Sequence, residues 1–263
     1  MDFGISGKKA VVCAASKGLG RAIALALAAE GVELLVTARN KETLAEVAGE
    51  ALKLGAPKAH MLSCDLTQHA AREELIKYAS STLGHVDILI HNVGGPKPTA
   101  ALATTLDHWR SGYDQLFPFV AHLNGAFLPG MIERSWGRIV AVTSLSVLEP
   151  IANLAISNAF RSAVTAMLKT LSDEVAHCGV TINCVAPGLI ATDRTEDLMS
   201  ARIAKSGQSR EEYMTEYLKS IPAQRLGKPQ EFGAVVAFLC SQQASYVTGS
   251  TICVDGGKRR STY

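Results

Sequence analysis

The sequence lacks the features that mark metal-binding, disulfide-bonded and membrane-spanning proteins. Its six cysteines include no CxxC pair and its seven histidines no HExxH motif, so we predict that the protein holds no metal. Several cysteines lie in apolar runs, which favours free thiols in a reducing compartment. The longest apolar run, at residues 22–29, is too short to cross a bilayer, and residues 1–9 lack the apolar region of a signal peptide. We therefore predict a cytoplasmic protein with no membrane partner.

An excess of charge of one sign is also missing. The 26 Lys and Arg residues nearly balance the 24 Asp and Glu residues, and no long block of either sign occurs, which argues against nucleic acid as a partner. The basic residues at 258–260 are typical of a solvated tail. A chain of 263 residues with 48% hydrophobic content can build one large core. We predict a single domain over residues 1–263.

Short apolar runs alternate with longer segments of helical period from residue 9 to about residue 189. This alternation predicts an α/β fold with a parallel sheet and helices on both faces. Most of the runs are rich in Val, Ile and Leu without polar alternation, as expected for strands buried on both sides. The predicted strands are 9–15, 33–38, 59–63, 87–91, 138–143, 180–185 and, after a gap, 251–254. The predicted helices are 19–30, 41–54, 69–82, 106–134, 151–178 and 230–240.

Residues 191–227 interrupt this alternation. The segment is polar and charged, contains two short helical patterns and has Pro222 near its end. In a doubly wound sheet the ligand lies beyond the carboxyl ends of the strands, so an insertion at this place predicts a substrate lid. A surface excursion without a role in binding is the alternative.

A glycine-rich turn joins the first predicted strand to the first predicted helix, and residues 13–20 read CAASKGLG. Glycines let the backbone approach a pyrophosphate, and the free N–H groups of the helix start attract its negative charge. The context predicts a dinucleotide site on a single-domain Rossmann-type, doubly wound parallel sheet of about seven strands. The predicted contacts in this turn are Ser16, Lys17, Gly18, Leu19 and Gly20.

The end of the second predicted strand distinguishes NAD from NADP. A carboxylate there would accept a hydrogen bond from the ribose 2′-hydroxyl, but the sequence has Ala38, Arg39 and Asn40. The guanidinium of Arg39 and the ammonium of Lys17 would instead pair with a 2′-phosphate. We therefore predict that the cofactor is NADP(H), bound at this end by Lys17, Arg39 and Asn40.

Six motifs in order resemble those of the short-chain dehydrogenase/reductase family, and within it those of 3-oxoacyl-[acyl-carrier-protein] reductase-like proteins. The resemblance covers nearly the whole chain. The family's TGxxxGxG turn is matched by residues 13–20, with Ala14 in place of its first glycine. The other matching segments are Cys64-Asp65-Leu66, His91-Asn92-Val93-Gly94, residues 137–140 leading to Ser144, residues 186–192 with Pro187-Gly188, and Val254-Asp255-Gly256-Gly257.

The resemblance implies an oxidoreductase that transfers hydride between the nicotinamide of NADP(H) and a small carbonyl or alcohol substrate. It also implies a homo-oligomer, either a tetramer or a dimer, with Phe160 and Met167 at a subunit interface. Ser144 stands at the position of the family's catalytic serine. The further cofactor contacts that the resemblance implies are Asp65, Leu66, Asn92, Gly94, Pro187, Gly188, Ile190 and Thr192.

The chain departs from the family at the catalytic helix. The family's YxxxK pair is expected thirteen residues after the serine, where the sequence has Ser157 and Arg161, and residues 114–212 contain no tyrosine. The family's additional asparagine is replaced by Leu116. Since residues four apart share a helix face, Ser157 and Arg161 can still meet the cofactor together. We take Ser144, Ser157 and Arg161 as the candidate catalytic residues, with Arg161 also at the nicotinamide ribose.

Three functions remain open on this evidence. In the first, Ser144 and Ser157 polarise a carbonyl while water or the substrate supplies the proton. The second is an NADP-binding sensor or oligomer subunit that has lost catalysis, and the third is non-redox chemistry in the same pocket. We favour the first, although a serine hydroxyl is a weaker acid than a phenol and a guanidinium cannot relay a proton. His91, at a strand end, is an alternative proton donor.

Overall fold

The protein is built around one parallel sheet. The structure is a computed structural model that describes residues 2–262, apart from the side chains of residues 201 and 205. Its seven strands lie in the order β3-β2-β1-β4-β5-β6-β7, and every pair of neighbours is parallel. The predicted α/β fold of about seven parallel strands is confirmed. The strands are β1 Lys9–Cys13, β2 Glu33–Ala38, β3 Ala59–Ser63, β4 Ile88–His91, β5 Gly137–Val142, β6 Val180–Pro187 and β7 Thr251–Val254.

Helices cover both faces of this sheet. Among the described residues they are α1 Gly18–Ala29, α2 Lys41–Leu54, α3 His69–Leu83, α4 Leu106–Leu116, α5 Pro118–Glu133, α6 Ala155–Val175, α7 Asp193–Ser206, α8 Arg210–Lys219 and α9 Pro229–Leu239. Within the part of the chain that the structure describes, no helix combines the length and the apolar character needed to span a membrane.

The core has two halves because successive strand residues point to opposite faces. Val12 packs with Ile23 of α1 and Phe232 of α9 on one face. Val11 packs with Phe119 of α5 on the other face, together with residues of α3 and α6. These side chains are almost fully buried, and each contributes roughly 1.5–3 kcal/mol relative to an exposed position.

The strand order reverses between β1 and β4, since β2 follows β1 on one side and β4 lies on the other. In parallel sheets the connections that leave the carboxyl ends of the strands diverge at such a point and open a crevice. The turns after β1, β4, β5 and β6 therefore meet at one edge of the sheet, and the glycine turn is among them.

Two helix predictions were wrong in their bounds. The helix predicted over 106–134 is interrupted, because α4 ends at Leu116 and α5 begins at Pro118. Proline has no N–H to continue the hydrogen bonds of α4, whereas the first position of a helix needs none. The helix predicted over 151–178 begins only at Ala155 and passes into a 3₁₀ turn after Val175.

The insertion at 191–227 forms α7 and α8, which agrees with its two helical patterns. Its ends are joined at the base, where Ala191 N donates to Gly227 O at 2.8 Å. Arg210 of α8 donates two hydrogen bonds to the carboxylate of Glu196 in α7. The insertion is thus a pair of helices that are linked by this ion pair and lie beside the carboxyl edge of the sheet. Its role as a lid stays a prediction.

Ala14 adopts a backbone conformation that favours glycine, with φ +48°. A left-handed conformation costs a residue with a Cβ about 1–2 kcal/mol, partly offset because glycine loses more entropy on folding. We expect Ala14→Gly to raise the free energy of unfolding by about 0.5–1 kcal/mol, measured by urea denaturation. Ala45→Gly, at an exposed position inside α2, should lower it by about 0.5–1 kcal/mol. An equal decrease in the free energy of unfolding of both variants would contradict the strain at Ala14.

Candidate active site at the carboxyl edge of the sheet

The glycine turn is packed so closely that a side chain at position 20 has no room. A Cβ at Gly20 would lie 2.1 Å from the carbonyl oxygen of Ala14 and 2.7 Å from Nδ2 of Asn92. Asn92 Nδ2 itself donates to Ala14 O at 3.4 Å. The turn after β1 is therefore held against the end of β4. Gly20 thus serves the tight packing of the turn, one of the roles that glycines have in a dinucleotide-binding turn.

The start of α1 is open to an anion. Lys17 is the N-cap residue, but its side chain makes no capping hydrogen bond, and the first turn contains no acidic residue. The first N–H groups of a helix have no partner within the helix, and together they carry a partial positive charge. The described residues supply no side-chain acceptor for the N-terminal N–H groups of α1, so this terminus fits a pyrophosphate. Ser16 lies half-buried just before it.

Lys17 and Arg39 are the two cations predicted to bind the 2′-phosphate. Arg39 is exposed at the end of β2 and makes no ion pair with a described residue. Lys17 Nζ lies 3.5 Å from Asp193 Oδ2, with both side chains more than 70% exposed. Such an exposed pair contributes little, so Lys17 can exchange Asp193 for another anion at small cost. Asn40 instead caps α2, because its Oδ1 accepts from Thr43 N at 2.8 Å.

Asp65 and Leu66 follow β3 on the same edge of the sheet. The Asp65 carboxylate accepts from the backbone N–H of Thr67 at 3.0 Å and from its hydroxyl at 2.9 Å. Leu66 packs against the core on the α3 side. The local turn orients the Asp65 carboxylate and leaves its second oxygen without a described hydrogen-bond partner, which suits an adenine contact.

Gly94 and the segment around Pro187 complete the set of predicted cofactor contacts. Gly94 is exposed, and its carbonyl accepts from Gln115 at 2.7 Å. Gly188 lies against Asp255, where a Cβ would approach the Asp255 Cα to 2.6 Å. The Pro187-Gly188 segment and the C-terminal motif are therefore in contact.

Thr192 and Ile190 differ in what they offer to a ligand. Thr192 caps α7 and lies near the glycine turn, with its methyl group 3.5 Å from a Cβ built on Gly18. Ile190 is 4% exposed and its side chain lies against Gly227. A cofactor contact by Ile190 would therefore use its backbone.

Ser144 and Ser157 lie on two elements that pack together, since α6 contacts the 3₁₀ turn Leu145–Val147 that begins after Ser144. Ser144 Oγ accepts from Ser146 N at 3.1 Å, which leaves its O–H free to donate. Ser157 is 7% exposed, and its hydroxyl makes no hydrogen bond with any residue that the structure describes. Both hydroxyls are thus available to an oxygen of a ligand.

Arg161 lies on the buried face of α6 with Ser157. Its guanidinium donates to Val142 O at 2.9 Å and to Val93 O at 3.4 Å. Burial, and then the neighbouring charge of Arg194, lower the pKa of Arg161 to about 10. The group is still a cation at neutral pH, so it can supply positive charge, although both of its terminal nitrogens already donate to backbone carbonyls.

His91 at the end of β4 packs against α5. It is 1% exposed, its Nε2 lies 2.7 Å from Asn124 Oδ1, and its ring packs edge-on against Phe119. Burial lowers the pKa of His91 to about 4, with the Asn124 hydrogen bond opposing. The ring is therefore neutral at physiological pH. Its Nδ1 has no described partner, and His91 and Arg161 both line a cavity of about 10 Å³, roughly the space for one water.

The fold assembles one cluster that the sequence did not reveal. His69 and Glu73 of α3 meet His122 of α5, with ligand atoms within 4.8 Å of one another. His122 Nε2 lies 2.9 Å from Glu73 Oε1, and Arg72 Nε donates to His122 Nδ1 at 3.2 Å. The positive charge of the Arg72 guanidinium disfavours a metal cation in this cluster. Because His122 Nδ1 accepts from Arg72, the proton of the neutral ring lies on Nε2, which donates to Glu73. We assign no metal to it, and the absence of a resident metal stays a prediction.

A cavity of about 400 Å³ lies on the outer side of α1, between α9 and the start of α7. It borders Gly18 and Thr192, but neither candidate catalytic serine lines it. The site predicted from the motifs lies instead where the carboxyl ends of β1, β4, β5 and β6 meet.

Comparisons with known proteins agree with this architecture. The family model described as Enoyl-(Acyl carrier protein) reductase matches residues 13–259. The 3-oxoacyl-[acyl-carrier-protein] reductase FabG of Vibrio cholerae is 33% identical over 96% of this chain and 98% of its own. Dehydrogenase/reductase SDR family member 4 of Sus scrofa is 32% identical over 96% of this chain and 88% of its own.

A solved structure is similar over the full length as well. L-sorbose reductase from Gluconobacter frateurii, complexed with NADPH and L-sorbose, superposes with a TM-score of 0.93 at 29% identity, over 99% of this chain and 100% of that one. The six ordered motifs, the strand order and these matches agree. The chain belongs to the short-chain dehydrogenase/reductase family.

Proposed function

We propose that the protein is an NADP(H)-dependent oxidoreductase that interconverts a small carbonyl compound and the corresponding alcohol. The observation that carries this proposal is the open start of α1 behind a turn that has no room for a side chain at Gly20. Arg39, at the end of β2, forms no ion pair with a carboxylate of the described residues. The compared sorbose reductase binds NADPH, which supports the same cofactor here.

Different residues around the crevice bind different parts of the cofactor. The backbone of Ser16 to Gly20 binds the pyrophosphate, and Lys17, Arg39 and Asn40 lie at the 2′-phosphate. Asp65 and Leu66 contact the adenine. The residues assigned to the nicotinamide half are Asn92, Gly94, Arg161, Pro187, Gly188, Ile190 and Thr192. When bound, NADPH supplies the hydride that reduces the carbonyl carbon.

Ser144 and Ser157 donate hydrogen bonds to the carbonyl oxygen, and Arg161 provides positive charge nearby. Hydrogen bonds and charges aimed at the oxygen where negative charge develops lower the barrier. The proton that this oxygen finally takes comes from water, because a serine hydroxyl is too weak an acid and the guanidinium stays protonated. The site thus keeps electrostatic catalysis without the family's phenol.

Assembly and location follow the family in this proposal. The protein forms a homo-oligomer, a tetramer or a dimer, in the cytoplasm. Met167 and Phe160 on α6 are both only half-buried, which leaves part of each for a second subunit. Phe160 already packs edge-on against Trp109 and Tyr113 of α4, so it also has a role within one chain.

Ser157→Ala tests the catalytic proposal. We expect kcat/KM for carbonyl reduction to fall by about 10- to 100-fold, since one hydrogen bond to the developing charge on the oxygen is lost, while the Kd for NADPH stays the same. The measurements are NADPH oxidation across a panel of ketones and aldehydes, and fluorescence titration with NADPH. Ser162→Ala on the same helix, whose hydroxyl only donates to Asn158 O, is the control and should leave both unchanged.

Three other outcomes would contradict part or all of this proposal. Unchanged turnover in Ser157→Ala would contradict the role of Ser157. NADPH binding without oxidation by any carbonyl compound would favour the sensor or the non-redox alternative. Absence of NADPH binding at millimolar concentration would overturn the proposed function.

A further inference from the structure

A second arginine reaches the candidate active site from the insertion. Arg194 is the second residue of α7, next to Asp193 and two residues after Thr192. Its Nη1 donates to Gly95 O at 2.9 Å and its Nη2 to Pro96 O at 3.4 Å. It therefore bridges the insertion and the loop that leaves β4.

Arg161 and Arg194 hold the same loop from two sides. Arg161 donates to Val93 O, and Arg194 donates to the carbonyls of Gly95 and Pro96. Their charges interact, because Arg194 contributes to the lowered pKa of Arg161. Two cations thus bind carbonyls of the same short loop, and Arg161 is buried whereas Arg194 is exposed.

The acidic residues near Arg194 either pair with other cations or lie beyond ion-pair distance of it. Asp193 is directed to Lys17, and Glu196 is paired with Arg210. Asp197 opposes the lowering of the pKa of Arg194 that burial causes, but its carboxylate is not within 4.0 Å. Among the described residues, no carboxylate forms an ion pair with Arg194 or Arg161.

Arg194 keeps the capacity to bind a ligand. A guanidinium has five N–H donors, and the two backbone contacts leave several of them unused. The residue is still exposed to solvent, so a solute can reach it. Gly95 provides the space for the group, since a Cβ there would lie 2.3 Å from Nη2.

An anion is the ligand that this arrangement favours. Unpaired cations that share a crevice raise the local potential and attract negative charge, and planar guanidinium matches carboxylate in two parallel hydrogen bonds. The cofactor phosphates have their own partners in α1, Lys17 and Arg39. The remaining anion in the crevice would be part of the substrate.

We propose that the substrate is a carbonyl compound that carries a carboxylate, and that Arg194 binds this carboxylate. The inference rests on the proposed function. The carboxylate takes no part in the bond changes and serves to hold the ketone or aldehyde beside Ser144 and Ser157. Arg161 adds to the positive potential, while its guanidinium stays hydrogen-bonded to the carbonyls of Val142 and Val93.

Matched acids and esters test the proposal. The probes are pyruvate, acetoacetate and levulinate, each with its methyl ester, and the readout is kcat/KM for NADPH oxidation. We expect at least one acid to exceed its ester by about 10-fold or more. Arg194→Gln should lower kcat/KM for that acid by about 10- to 100-fold, the usual effect of losing a charge-assisted hydrogen bond, and change the ester less than about threefold.

Two further variants separate Arg194 from its surroundings. Gly95→Ala should displace the guanidinium and lower the acid preference in the same direction, without removing the charge. Arg202→Gln removes an equal charge from the same helix, where Arg202 contacts Tyr217, and should leave acids and esters unchanged. A loss that is equal for acid and ester in Arg194→Gln would overturn the proposal.

Calorimetric titration of the acids at saturating NADP+ distinguishes the two proposals without turnover. Acid binding that depends on Arg194, with no reduction, supports the carboxylate site and contradicts the reductase function. Reduction of esters as efficient as reduction of every acid overturns the carboxylate site and leaves the reductase intact. A rise of about 10-fold in the Kd for NADPH in Arg194→Gln would assign this arginine to the cofactor phosphates and likewise overturn the proposal.

Discussion

Replacing both Lys17 and Arg39 with alanine is expected to raise the Kd for NADPH by about 100- to 1000-fold, while the Kd for NADH changes by less than about threefold. Each cation would lose a charge-assisted hydrogen bond to the 2′-phosphate worth roughly 1.5–2 kcal/mol, and 1.4 kcal/mol corresponds to a tenfold change. NADH lacks this phosphate, so it reports on the remaining contacts. Fluorescence titration with both nucleotides measures the ratio.

The fold should tolerate these changes. Arg39 is exposed, and Lys17 shares only an exposed ion pair with Asp193, so neither supports the core. Lys53→Ala, which removes a charge from the exposed last turn of α2, is the control and should leave both Kd values unchanged. Equal weakening of NADH and NADPH would show that the two cations do not select NADP.

The double variant Ser157→Tyr, Arg161→Lys is expected to increase the rate of carbonyl reduction by about 100-fold or more. It supplies a general acid, and such groups typically contribute 10²- to 10⁴-fold. A neighbouring ammonium lowers the phenol pKa from its reference of about 10. Reduction by this variant should fall as the pH rises through that pKa, because only the protonated phenol can donate.

A lysine can take over part of the present role of Arg161. The guanidinium bonds two backbone carbonyls, at Val142 and Val93, and an ammonium can donate to at least one of them. The matched control is Ser157→Phe with Arg161→Lys, which adds the ring without the hydroxyl. An equal gain in this control, or no gain in the tyrosine variant while NADPH still binds, would show that the phenol is not what the site lacks.

Much of the fold was predictable because its signals are local. Strands buried on both faces must be apolar at nearly every position, and β1, β2, β4, β5 and β6 show this pattern, whereas the edge strands β3 and β7 are only partly buried. The glycine turn is equally local, since strand, turn and helix follow directly in the chain. The one large error, the helix over 106–134, arose where an apolar helical pattern continues across Pro118 although the hydrogen bonds cannot.

Several features of the site had no signal of this kind. Arg194 looked like one of many charged residues in the insertion, and its position on the loop after β4 depends on contacts 98 and 99 residues away in the chain. His91 was a candidate proton donor from its place at a strand end, whereas the side chain lies against Phe119 and Asn124. The position of each of these side chains depends on residues of other helices, strands and loops that pack against it.

The sequence by itself determined the family, the parallel α/β architecture, the dinucleotide turn and the departure at Ser157 and Arg161. Only the tertiary structure decided which charges meet: Arg161 with the carbonyls of Val93 and Val142, and Arg194 on the same loop. Periodicity and turn chemistry act between residues close in the chain, so they can be read along it. The distance between side chains on separate elements depends on how the helices and loops pack on the sheet, which no short stretch of sequence specifies.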